Sequence, residues 1–290
     1  MLSNDEPSLT ALTAAAARAA HLIVDSDPLI LKDNLAAALL GEQADDLIGY
    51  HRAHGAHPVL SGTRAQVTTR SRYTEDHLAR CVARGIRQYV ILGAGLDSFA
   101  YRSPLASEVA VFEVDHPATQ QWKRRGLSAG GIAVPPCVSF VAADMENDSL
   151  ADNLAKAGFD LARPALVSWL GVTMYLTPAA IGRVLTEIGC FAPGSELIAD
   201  YMLPAHLRDA AGNAYADLVM PVTAERGEPW LTFLTPAQMS ALLKKHGMEP
   251  AGHVSQREAV DGALWERTDS LRPMTVSLLA RAALRGPRDG

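Results

Sequence analysis

From Gln88 onward, short β-branched runs alternate with spacers long enough for helices, and this rhythm constrains the fold more than any other feature. The runs are QYVIL (88–92), VAVFEV (109–114), VSFVA (138–142), ALVSW (165–169) and ELIA (196–199). Each is too short for a buried helix, while each spacer can carry a crossover helix. The pattern predicts an α/β fold, a parallel sheet with helices on both faces. Runs at 250–254 and 275–284 supply the last strands, and Thr235-Pro236 opens a helix that Gly247 ends.

The residues before this rhythm, 1–85, read as helical. Ser8 or Thr10 caps a helix reaching about Val24, and Asp27-Pro28 ends that stretch. A second periodic stretch, 34–40, stops at Gly41, and a third, about 65–84, stops at Gly85. The polar segment between them sets His51, His54 and His57 three residues apart. No cysteine or carboxylate joins them at ligand spacing, and Gly55 and Pro58 weaken a helix there, so they read as a solvated face and not as a metal site.

A net charge of −6, with Lys and Arg scattered, excludes the basic stripe that a nucleic-acid groove or a membrane-surface helix needs. Cys81, Cys137 and Cys190 stand alone, which suits a reducing, cytoplasmic setting. The N-terminal helix contains Arg18 and follows Asp5 and Glu6, unlike a secretion signal. No apolar run approaches the ~20 residues of a membrane span.

The chemistry gathers where the strands end. Gly93 and Gly95, in VILGAGLDS, form a tight turn directly after a strand, where a ligand approaches the backbone closely. Asp115 ends the next strand, placed to accept the two hydroxyls of a ribose, and Asp144 follows the third, placed to read an adenine. Two cofactor types fit this pair of features. A dinucleotide wants GxGxxG leading into a helix N-terminus, but here Leu96-Asp97-Ser98 replaces the third glycine. Asp97 would repel a pyrophosphate and suits a cationic sulfonium, so S-adenosylmethionine is favoured.

With these motifs in place, the chain resembles the leucine carboxyl methyltransferase family, in particular its bacterial S-adenosylmethionine-dependent O-methyltransferase branch. The resemblance rests on AAARAAHLIVD, TRSRYTEDHL, RQYVILGAGLDSFAYR, VFEVDHPATQQWKR, SFVAADM, LVSWLGVTMYLT and RPMTVSLLARA, in order from about residue 14 to 284. It implies a class I methyltransferase: a doubly wound, Rossmann-like, mostly parallel seven-stranded sheet. The helices of 1–85 would form a cap on a donor-binding domain, 86–290. It also implies that Gly93 and Gly95 line the methionine and ribose portion of the donor, that Asp115 holds the ribose, and that Asp144 and Met145 contact the adenine. An arginine of the preceding helix would pair with the donor's carboxylate; Arg70 matches best, with Arg72 two residues on. The family often has Glu-Gly where this chain has Leu170-Gly171, so a backbone carbonyl or another acid, such as Asp97, would meet the donor's ammonium.

The expected reaction is direct methyl transfer to a carboxylate or hydroxyl of a small-molecule acceptor, a secondary metabolite, with neither nucleic acid nor membrane as partner. A carboxylate acceptor needs no general base; for a hydroxyl, His116 and His206 are candidates. The stretch about 201–233, with Tyr215, Met220, Trp230 and Phe233, reads as a lid insertion, while Tyr175 reads as packing beneath the site. A nicotinamide-dependent oxidoreductase and a non-catalytic nucleoside-binding protein of the same fold are the alternatives.

Overall fold

The central runs QYVIL and ALVSW are buried at every residue, and the need to cover both of their faces organises the molecule. In the structure, a computed structural model that describes residues 8–145 and 147–285, the chain begins with α1 (Leu9–Val24), α2 (Ala36–Leu39), α3 (Ala44–His54) and α4 (Pro58–Ala83). Next come β1 (Gln88–Leu92), α5 (Phe99–Arg102), β2 (Ala110–Asp115), α6 (Pro117–Ala129), β3 (Val138–Ala142), α7 (Leu150–Lys156) and β4 (Ala165–Trp169). It continues through α8 (Pro178–Ile188), β5 (Glu196–Met202), α9 (Ala210–Glu225), α10 (Pro236–Lys245), β6 (Met248–Val254), α11 (Gln256–Ala259) and β7 (Ser277–Leu284).

The strands form one seven-stranded sheet in the order β3-β2-β1-β4-β5-β7-β6. β1 to β5 run parallel, and β7 lies antiparallel between β5 and β6. Successive side chains point to opposite faces, so Val90 and Leu92 enter a core with Trp169, Ile181, Leu185 and Leu243. Tyr89 and Ile91 enter the other, with Leu78, Cys81 and Val82 of α4. Helices on both sides explain why β1 is buried throughout. This is the doubly wound arrangement expected. Among the described residues no helix is long and apolar enough to cross a membrane.

Two local readings are corrected. The polar segment around the histidines is helical: α3 carries Asp45 and Asp46 in its first turn and Arg52 in its last, beside His51 and His54, so its fixed charges complement the helix dipole. His51 is buried, with Nδ1 3.2 Å from Arg64 Nη1, whereas His54 and His57 are exposed, so the three do not share a solvated face. His57 instead caps α4, and Pro58 starts that helix where its missing N–H costs nothing. The second correction concerns β5. Its pairing with β7 continues through Tyr201 and Met202, so the following excursion begins only after the strand and contains α9.

Candidate functional site

Strand order reverses between β1 and β4, and a crevice opens at such a point beyond the carboxyl ends of the strands. Leu92 pairs with Val114 on one side and Trp169 on the other, and Trp169 pairs with Ala199. One residue further along, Gly93, Asp115, Leu170 and Asp200 therefore emerge at the same level. The candidate site is built from that row.

The turn after β1 is closed by two hydrogen bonds, from Gly93 N and Ala94 N to Val114 O at 2.9 and 3.0 Å. Gly93 has φ +66°, and a Cβ there would overlap Val172 Cγ2, so the position requires glycine on both counts. Gly95 N donates to Asp115 Oδ2, and His116 N donates to Oδ1 at 2.7 Å. Asp115 is thereby fixed across the mouth of the turn, and each oxygen retains acceptor capacity. Burial pushes its pKa above the usual carboxylate range, against the lowering effect of these two backbone donors.

Asp97 turns back on the chain: its Oδ1 accepts Phe99 N at 2.8 Å, at the start of α5. The helix terminus that a pyrophosphate would need thus already holds a carboxylate, and the four-residue α5 offers little dipole. The donor set fits a cationic nucleoside and does not fit a dinucleotide. Asp144 and Met145 follow β3; Asn147 Nδ2 donates to Asp144 Oδ2 at 2.7 Å, and Met145 packs against the larger core. Ala143 N donates to Asp115 O at 2.9 Å, which joins this loop to the end of β2.

The two arginines of α4 diverge. Arg70 reaches the crevice, where Nη1 donates to Asp200 Oδ2 at 3.0 Å and the guanidinium lies against Gly171. Arg72 points outward to Asp76, with Nε 2.9 Å from Oδ2, and its Nη1 donates to Ile30 O. His116 caps α6, accepting from Ala118 N at 3.4 Å, and His206 is exposed on the 3-10 turn Ala205–Leu207. Tyr175 packs with Met174, Tyr215 and Trp230.

Sequence reasoning missed three participants. Asp200, mid-strand in β5, accepts Gly171 N at 2.7 Å as well as Arg70. Glu228 accepts Ser8 Oγ at 2.7 Å and Thr10 N at 3.1 Å, and Ser8 N reaches Thr119 Oγ1 of α6. Arg18 donates to Leu96 O at 2.6 Å and to Asp33 at 2.7 Å, tying α1 onto the glycine turn. The available signal was the number of alanines in α1, small side chains that let a helix approach closely: a Cβ on Gly95 would lie 3.1 Å from Ala11 Cβ.

His77, Cys81 and Glu196 also converge, at the opposite, amino-terminal end of β5. His77 Nε2 lies 2.7 Å from Glu196, Arg84 contacts both Glu196 and Cys81, and burial with Glu196 pushes the Cys81 thiol up to about 12. The carboxylate is thus already engaged by His77 and Arg84.

Comparison with known proteins agrees with this geometry. The family model for leucine carboxyl methyltransferase matches residues 11–189. YktD of Bacillus subtilis, which carries the name of an S-adenosyl-L-methionine-dependent methyltransferase, is 30% identical over 293 residues, 93% of this chain and 95% of its own. Rv3787c of Mycobacterium tuberculosis, named likewise, is 34% identical over 208 residues, 68% of this chain and 65% of its own. A DUF574 family protein from Streptomyces avermitilis shares the fold with a TM-score of 0.57 at 20% identity, over 93% of this chain and 97% of that one. With the matched model spanning the glycine turn, Asp115 and β4, the chain belongs to the leucine carboxyl methyltransferase family and is an S-adenosylmethionine-dependent methyltransferase.

Proposed function

We propose that the protein methylates oxygen on a small molecule, a carboxylate in the first instance, in the manner of an enzyme of secondary metabolism. The level row of Gly93, Asp115 and Asp200, with Arg70 held over it, supports the donor half of this reading, and membership in the leucine carboxyl methyltransferase family supports a carboxylate acceptor. S-adenosylmethionine, when bound, supplies a methyl group already activated by its sulfonium. Asp115 would accept from the ribose hydroxyls, Arg70 would take the amino-acid carboxylate, and Asp144 with Met145 would border the adenine. The backbone of Gly93 and Gly95 would pass close beneath.

The remaining work is alignment and exclusion of water, because in-line displacement needs little more from the protein. A carboxylate acceptor arrives ionised and needs no base. The placements of His116 as a helix cap and His206 at the surface favour it over a hydroxyl. The helices of 1–85 would act as a cap on the domain 86–290, and the excursion expected over 201–233 as a lid. Glu228, just after α9, meets Ser8 and Thr10 and so supports a joint closure.

The test is twofold. Calorimetry with S-adenosylhomocysteine and with NAD should give heat only for the former; heat only for NAD would overturn the reading. Labelled donor offered to small carboxylic acids and phenols should yield a product that loses its label in alkali, as an ester does. An alkali-stable product would move the acceptor to a hydroxyl.

A further inference from the structure

Arg70 is a long side chain that would lose much conformational freedom on meeting an anion, unless the protein has already fixed it. The structure fixes it through one carboxylate. Asp200 is buried, accepts Gly171 N on Oδ1 at 2.7 Å and Arg70 Nη1 on Oδ2 at 3.0 Å, and has its own carbonyl held by Thr173 Oγ1 at 2.6 Å. It therefore joins α4, the turn after β4 and the 3-10 turn Thr173–Tyr175. Gly171 has φ +73° and no Cβ, and the guanidinium occupies the space where a Cβ would stand. Leu170, which precedes it, brings no charge, so the acid at this turn comes from the neighbouring strand. Arg70 and Asp200 also line a small cavity with Gln66, Thr69, Gln256 and Ser277, and among the described residues no other charged side chain lines it.

We infer that Asp200 is a positioning residue for the amino-acid end of the donor, acting through Arg70 and the Gly171 turn. The inference rests on the cofactor reading above. With Nη1 committed to Asp200, the other donors of the guanidinium are held ready for a carboxylate, in a fork suited to it. An uncharged residue at 200 would leave the guanidinium without its one anionic neighbour in that cavity.

The test compares S-adenosylhomocysteine with 5′-methylthioadenosine, which keeps the nucleoside and lacks the amino acid. Binding to the full-length protein is measured by calorimetry for wild type, Asp200→Asn, Arg70→Ala and the double variant. Asp200→Asn is expected to weaken S-adenosylhomocysteine at least tenfold and methylthioadenosine less than twofold, the second ligand reporting an intact fold. The double variant is expected to bind S-adenosylhomocysteine as Arg70→Ala does, because one residue acts through the other. Equal weakening of both ligands, unchanged binding, or losses that multiply in the double variant would each overturn the inference. Wild type that binds neither ligand would overturn it together with the cofactor reading.

Discussion

The Oγ of Ser8, at the cap of the first helix, lies 2.7 Å from Oε1 of Glu228, although 220 residues separate them. Thr10 N reaches the other oxygen, Ser8 N reaches Thr119 beside the His116 cap, and Ala11 lies against Gly95. The first turn of α1 thus bridges the crevice from its β2 side to the segment after α9.

Replacing Glu228 with alanine should loosen that bridge. Hydrogen exchange in the first turn of α1 should rise, and S-adenosylhomocysteine should dissociate several-fold faster with little change elsewhere. Unaltered exchange at Ala11 and Leu12 would show that Glu228 does not hold the strap.

Asp115→Asn keeps the shape of the side chain and removes its charge. Hydrogen bonds to charged groups contribute about 1.5–3 kcal/mol, so donor affinity should fall roughly 10- to 100-fold, read by titration with S-adenosylhomocysteine. Because burial raises the Asp115 pKa, wild-type affinity should also weaken as pH falls through that raised value, while the asparagine variant stays flat.

Gly93→Ala should destabilise the fold by about 1–3 kcal/mol from left-handed backbone strain alone, with the overlap on Val172 added. Urea unfolding measures the loss. Adding Val172→Ala should recover the steric part and leave the backbone part.

His51 makes stability depend on pH. Burial, then Arg64, pushes its pKa down from 6.5 to about 4. The unfolded chain therefore binds the proton more readily, so the contribution is complete above pH 6.5 and is lost as pH falls toward 4. At about 1.4 kcal/mol per pH unit the loss reaches about 3 kcal/mol. His51→Asn, whose amide oxygen can still accept from Arg64, should flatten that part of the pH profile of urea unfolding.

Much of this architecture was legible in the residues. β1, β3 and β4 end where their runs end: β1 and β4 are central and buried at every residue, which keeps them mostly apolar, while the edge strand β3 is only partly buried yet still shows as a β-branched run ahead of Asp144. Helix α3 escaped notice because it buries little beyond Ile48 and His51, so its periodicity is weak. Arg70 and Arg72 could not be separated by spacing alone. Two residues apart on a helix point roughly 200° apart, and only packing decides which faces inward. Asp200 and Glu228 were invisible as site residues because their partners lie 130 and more than 200 positions away.

The bonds that cross the molecule also set an order of events in folding. Arg64 contacts Ser270, and Arg267 donates to the carbonyls of Ser26 and Pro28, so α4 and the loop after α1 find partners more than 200 positions later. Contacts of such sequence separation carry a loop-closure cost before they reward folding, so the packing of α4 and of the loop after α1 is complete only once residues 267–270 have docked.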